Sequence, residues 1–405
     1  MNYPPVRFVE AIPIEQEGQP LVMLRDPEGL TEQTLAVPMP VFLVMTLLDG
    51  QRGAHQIQET VTQAAGGQIM TTEQIDSVVQ ELDEHFLLVN ERSARKRVEL
   101  ERAFEAMDAR PATHAGSAYP EEAPVCANMF GELFDESREA EPPGRRPRGL
   151  IVPHIDLRVG GRSLAETLSR IAATDPAQLY VILGVAHQPT ENLFTLTRKS
   201  FETPFGPVQT DQQACDILEA ACGEESLAGE YAHKLEHSVE FPTVALRYHH
   251  REKPDFKILP ILCGQMEEEL ADEPVDPTQR PEVGRFVQGL RRIIDHYDGR
   301  ACLIASVDLA HVGRKFGDDF AIDDLRKQMV QTADERLLEQ IEQMDPEGFF
   351  ESIRTDRNAR HVDATTAVFV LMQALGTGRV ERVDYQQWHE NATESMVSYT
   401  GLALY

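Results

Sequence analysis

From residue 149 onward the chain alternates short, largely apolar runs with longer amphipathic stretches, and this alternation constrains the fold more than any other feature. The runs are GLIVP (149–153), LYVILGV (179–185), FKILPILCG (256–264) and ACLIASVDL (301–309), each closed by polar or turn-forming residues. Between them lie helical patterns such as PEVGRFVQGLRRIIDHY (281–297). A strand that is apolar on both faces must be covered on both, and strands separated by helices run parallel. The expected fold class is therefore α/β, a mostly parallel sheet with helices on both faces. In such sheets ligands gather beyond the carboxyl ends of the strands.

The residues at those ends carry chemistry. GLIVP leads to His154, LYVILGV to His187, and ACLIASV to Asp308 and, shortly after, His311. A further cluster, HKLEHSVEFP (233–242), holds His233, Glu236, His237 and Glu240 just before a helix. Imidazoles and carboxylates meeting in a cleft are the materials of a metal or acid–base site. Taken singly, a histidine near a strand end is ordinarily a hydrogen-bonded surface or core residue. Glu236 and Glu240 also suit the first turn of a helix, where carboxylates complement its dipole. Convergence from three strands is what points to a site.

The first 95 residues have a different texture. PMPVFLVMTLLDGQRG (38–53), HQIQETVTQAAGG (55–67) and TTEQIDSVVQELDEHFLLV (71–89) form helical pieces with joints at Asp49-Gly50 and Gly66-Gly67. Ile75, Val78, Val79, Leu82 and Phe86 recur on one helical face, and Thr71 with Gln74 forms a capping box. A small, mainly helical domain over 1–95 is expected, with short strands near 5–10, 21–25 and 86–90. A charge-rich connecting helix over 96–110 follows, then the α/β domain over 111–405. Residues 136–148, ESREAEPPGRRPR, read as a surface loop within it.

The 38 Lys and Arg against 67 Asp and Glu give a formal charge of −29, which repels phosphate backbones and anionic membranes. Direct nucleic-acid binding and membrane binding are thus not expected. Five dispersed cysteines read as reduced thiols, the start of the chain lacks the pattern of a secretory leader, and no run of 18 apolar residues occurs. The expected location is the cytoplasm.

Seven segments occur in the order of a known family: HAGSAYP (114–120), PHIDLRVGG (153–161), LGVAHQP (183–189), FETPFGPVQTD (201–211), EHSVEF (236–241), LPILCG (259–264) and SVDLAHVGRKFG (306–317). With the closing ESMVSYTGLALY (394–405), they resemble the Memo family, which includes protein B of AmmeMemoRadiSam systems. That resemblance implies a fold like the class III extradiol dioxygenases of LigB type, which use non-haem iron(II). It places His154 and His187 on the family's two metal-binding histidines. The family's third ligand is a cysteine, but the matching stretch here, ARHVDATTAVFVLMQAL (359–375), has none. Counting back from Ala367-Val368 puts His361 at that position, or Val362 if one residue is gapped. A third imidazole in place of a thiolate would make the site neutral and harder. Ordinary catechol cleavage, which relies on a carboxylate ligand, is then not implied.

By the same resemblance His237, beside Glu236, takes the acid–base position. Asp308 and His311 line the cleft, where a carboxylate orients a metal-bound imidazole. The resulting expectation is a metal-dependent redox enzyme with a divalent ion, iron(II) foremost and copper or zinc as alternatives, acting on a small molecule or peptide. A three-histidine zinc hydrolase and a non-enzymatic peptide-binding module are the rival readings. Residues 1–95 resemble winged-helix-like PqqD domains, which present peptides to radical enzymes; few Lys or Arg here argue against DNA reading. Radical-SAM and AMMECR1-type proteins are the partners these two resemblances imply.

Overall fold

A computed structural model describes all residues except Met1, Glu17, Glu32, 65–69, 137–144, Glu267 and 271–275. The Gly66-Gly67 joint and most of the proline-rich loop at 136–148 therefore lie outside the described residues. The chain divides into two compact units, Met1–Ala106 and Met107–Tyr405.

In the first unit, strands β1 (Glu10–Gln16), β2 (Gln19–Arg25) and β3 (Leu35–Pro38) form an antiparallel sheet in that order. Helices α1 (Met39–Leu47), α2 (Ala54–Ala64), α3 (Thr72–Glu84) and α4 (Glu91–Glu105) follow. Val22, Leu24, Val44, Ile57, Val61, Ile75 and Leu82 close a common core. The capping box forms: Thr71 Oγ1 accepts the Gln74 N–H at 3.3 Å, and Gln74 Oε1 accepts the Thr71 N–H at 2.8 Å. Strand placement differs from expectation. Gly18, at φ 75°, turns the chain and sets the register Gln16↔Gln19, so the first strand runs 10–16 rather than 5–10. The expected strand at 86–90 reduces to a single bridge, Val6↔Leu88, and β3 was not foreseen. Phe86 lies past the end of α3 at φ 59°, half-buried, while Leu87 and Leu88 take the buried positions.

The second unit opens with β4 (Ala109–Arg110) and α5 (Ala123–Glu136), so residues 96–110 are split between a helix of the first unit and a strand of the second. Next come β5 (Gly149–Val152), α6 (Leu157–Leu168), β6 (Leu179–Val185), β7 (Phe194–Leu196), β8 (Ser200–Phe201) and α7 (Gln212–Cys222). Then α8 (His237–His249), β9 (Lys257–Cys263), α9 (Pro281–His296), β10 (Ala301–Ser306) and β11 (His311–Gly313) follow. Helices α10 (Asp324–Glu342), α11 (Pro346–Arg354) and α12 (Thr365–Leu375) lead to β12 (Val380–Glu390) and β13 (Ser395–Leu404).

The large sheet has the order β11-β13-β5-β10-β6-β9-β7, with β12 paired along β13. Its centre, β5, β10, β6 and β9, is parallel; the edges are antiparallel. Side chains alternate between the faces of a strand, and on β6 both sets are apolar. Leu179, Val181, Leu183 and Val185 enter the core shared with α9 and α12, while Tyr180 and Ile182 enter the core shared with α6 and α8. Double-sided burial is why these strands read as continuous apolar runs.

Candidate metal centre

Strands β5, β10 and β6 are neighbours and parallel, so their carboxyl ends share one edge. His154, Asp308 and His187 each stand two residues beyond their strand's last residue, and this common offset brings them together. His154 is almost fully buried and forms the floor. Its Nδ1–H donates to the Ser306 carbonyl at 2.8 Å, which leaves Nε2 facing the cleft. That nitrogen lies 3.3 Å from Asp363 Oδ2 and 3.8 Å from Asp308 Oδ2. Asp308 Oδ1 in turn accepts the backbone N–H groups of His154 and Ile155, both at 3.3 Å.

His187 lies at the rim, its side chain 37% exposed. Its Nδ1 is 3.0 Å from both oxygens of Glu236, and its backbone N–H donates to the same carboxylate at 3.2 Å. With Nδ1–H bound to Glu236, the Nε2 lone pair is free to coordinate, the usual arrangement of a metal-binding histidine. His237 begins α8; its ring stacks on His187 at 4.8 Å and meets His154 edge-on at 5.1 Å. Each of the three imidazoles offers a nitrogen within 4.8 Å of the other two. The cluster expected just before a helix is thus the start of the helix itself. Glu236 is its N-cap and accepts the Ser238 N–H at 2.9 Å.

A close approach of α8 to β6 fixes this geometry. Ser238 Oγ accepts the Val185 N–H at 3.0 Å and donates to the Val185 carbonyl at 3.1 Å. A Cβ on Gly184 would lie 2.5 Å from Ser238 Oγ and 2.8 Å from Val239 Cγ2. Gly184→Ala is therefore expected to cost about 1–3 kcal/mol in urea unfolding, the usual range for overpacking a filled core. It should also displace Glu236 and His237 from His187.

The electrostatics of the cleft divide its histidines. Burial opposes the charged form of His154, but the Asp308 and Asp363 carboxylates outweigh it and raise its pKa to about 10. For His187 burial likewise opposes and Glu236 prevails, again raising it. His237 is held well below the usual imidazole value: burial dominates, and His187, His154 and His114 add to it against Glu236. Glu236 stays well below the carboxylate range despite burial, because His187 and His237 favour its anion. Near neutral pH, His237 is thus a neutral imidazole beside two carboxylate-paired ones.

Not every expected residue joins the cluster. His361 is exposed, at φ 50°, and its Nδ1–H donates to the His311 carbonyl at 3.0 Å. It belongs to neither group of closely spaced donors. The expected third imidazole is therefore not His361; His237 holds that place in the geometry. His311 Nδ1 is tied to the carbonyls of Leu309 and His361 at 3.2 and 3.1 Å, and its Nε2 lies 4.0 Å from Asp363 Oδ2. His233 is a core residue, its Nε2–H donating to the Thr195 carbonyl at 3.0 Å, and burial drops its pKa to about 4.

Two groups escaped the sequence reading. Asp363 stands two residues beyond His361, within the stretch 359–375 that lacks the family's cysteine. The other is the set of buried partners that Glu240 finds under α8. Glu240 accepts from Arg110, Tyr119 and Thr113, and from His114 Nδ1 at 2.8 Å, and the His114 ring lies 5.7 Å from His237. The HAGSAYP segment was the available signal. The donor set suits a divalent cation, with oriented imidazole nitrogens and a buried carboxylate oxygen, Asp363 Oδ2, that has no hydrogen-bond partner among the described residues.

Fold and cleft together define an α/β protein whose parallel strands deliver a histidine–carboxylate cluster to one edge. Residues 110–403 match the family model described as Memo-like protein, and the chain belongs to the Memo family. It is 28% identical over 405 residues to a MEMO1 family protein of Aquifex aeolicus, a match spanning 99% of this chain and 100% of that one. A MEMO1 family protein of Thermus thermophilus is 28% identical over 267 residues, covering 66% of this chain and 74% of the relative. One from Methanosarcina mazei is 31% identical over 205 residues, covering 51% and 68%. Among solved structures, an uncharacterized protein from Escherichia coli K12 aligns at 14% identity and a TM-score of 0.36, covering 64% of this chain and 100% of that one. No helix among the described residues is long and apolar enough to cross a membrane.

Proposed function

We propose that this Memo-family protein is a metal-dependent redox enzyme related to class III non-haem iron dioxygenases, with iron(II) its leading ion and a small molecule or peptide its substrate. The observation that carries this reading is the pair of histidines, His154 and His187, each with Nδ1 engaged and Nε2 left for a ligand, beside His237. Iron(II) held by His154 and His187 would supply a one-electron donor for oxygen chemistry. The protein's own residues do the rest. Glu236 orients His187 and increases its basicity. His237, neutral near pH 7, takes a proton from a substrate hydroxyl on the ring nitrogen turned away from Glu236. Asp308, under the floor, sets the local field.

The three-imidazole grouping also favours a second reading, a zinc hydrolase. Elemental analysis of protein purified without oxygen separates the two. Near-stoichiometric iron with substrate-dependent oxygen uptake is expected; zinc, with activity that survives without oxygen, would establish the hydrolase instead. Residues 1–95 are proposed as a PqqD-like docking module for radical-SAM and AMMECR1-type partners. The pairing of the two resemblances supports this. The cysteines are all free thiols, which fits a cytoplasmic setting.

A further inference from the structure

We infer that Asp363 is a metal ligand, so that His154, His187 and Asp363 form a two-histidine, one-carboxylate set with His237 beside it. The inference rests on the metal reading above and deepens it. Asp363 Oδ1 accepts the Asp308 N–H at 2.9 Å, which fixes the carboxylate plane. The other oxygen, Oδ2, is buried, has no hydrogen-bond partner among the described residues and stands 3.3 Å from His154 Nε2. His154, Asp308 and Asp363 offer donor atoms within 4.8 Å of one another, and His154 is shared with the imidazole cluster. Asp308 Oδ2 is farther from that nitrogen, at 3.8 Å, and Asp308 Oδ1 serves two backbone N–H groups.

A buried carboxylate oxygen with an unfilled lone pair is costly unless a proton or cation meets it. A cation between Asp363 Oδ2 and His154 Nε2 satisfies both atoms at once. The carboxylate also sets the preference among metals. It adds a negative charge and a hard oxygen donor, which suits iron(II) and disfavours copper(I). A carboxylate ligand is thereby present in the stretch that lacks the cysteine, two residues beyond His361.

The alternative is a plain ion pair between Asp363 and a protonated His154. Anaerobic calorimetric titration with iron(II), and competition between iron(II) and copper(I), tests this on chelator-stripped wild type, Asp363→Asn, Asp363→Cys and His187→Ala. Asp363→Asn keeps an oxygen for the Asp308 N–H and is expected to bind iron(II) about 100-fold more weakly or worse. Asp363→Cys is expected to move the preference toward copper(I). Wild-type iron(II) affinity in Asp363→Asn, with metal lost in His187→Ala, overturns this inference and leaves the metal reading standing. Wild type that takes up neither ion overturns both. Should Asp363→Asn fail to fold, as judged by its thermal melt, an unaltered metal preference in Asp363→Cys overturns the inference alone.

Discussion

His154→Ala is expected to retain less than about one hundredth of the wild-type iron(II) affinity, while His361→Ala retains all of it. Removing an outer partner of a metal ligand already costs roughly 10- to 100-fold, and His154 stands at the centre of the cluster. His154 is the residue shared by the imidazole group and the carboxylate group, whereas His361 is exposed and spends its Nδ1–H on a backbone carbonyl. Metal analysis of the two variants side by side checks this. Loss of metal in His361→Ala would return that residue to the ligand set. The pH dependence has a definite sign. A folded-state pKa raised to about 10 means that His154, without metal, contributes stability that is full below its ordinary value near 6.5. That contribution fades as pH rises through about 10. An incoming ion must displace this proton, so iron(II) affinity should strengthen as pH rises above neutrality, a trend absent in His154→Ala.

The contrast between His154 and His361 shows what sequence could carry. His154, His187 and Asp308 were legible because each follows a largely apolar strand by the same two residues, and parallel neighbours share an edge. Position along the chain was then enough to imply position in space. Asp363 arrives from a connection between α11 and α12 in which Arg357, Asn358 and His361 all have positive φ. Such backbone reverses locally, so counting back from a helix gives a position without a direction. There His361 turns outward and Asp363 inward. Strand β12, VERVDYQQWHE, was equally hard to read. It pairs along β13 with half-buried side chains on both faces, and its many polar residues hide the strand. In the first unit the helical core was plain from its periodicity, whereas the register of β1 depended on a turn at Gly18.

Arg110→Met is expected to destabilise the second unit by about 3–5 kcal/mol, the usual cost of leaving one partner of a buried ion pair uncompensated. Arg110 is fully buried. Its guanidinium pairs with Glu240 and donates to the carbonyls of His233 and Glu236, at 2.8 and 2.9 Å. It therefore neutralises Glu240 and also holds the turn that presents Glu236 to His187. Urea unfolding followed through Trp388, the chain's single tryptophan and part of β12, measures the first effect. The second should appear as weakened iron(II) binding in the variant while it is still folded. Glu240→Gln separates charge from shape. Burial alone would raise the Glu240 pKa, but Arg110 and His114 lower it from 4.5 to about 2. A depressed carboxylate stabilises above its unfolded value and loses that contribution as pH falls toward the folded one. Between pH 4.5 and 2 the wild type should thus lose stability more steeply than Glu240→Gln. Parallel acid limbs would mean that the Glu240 charge does not support the fold, and Arg110 would then act through its carbonyl contacts alone.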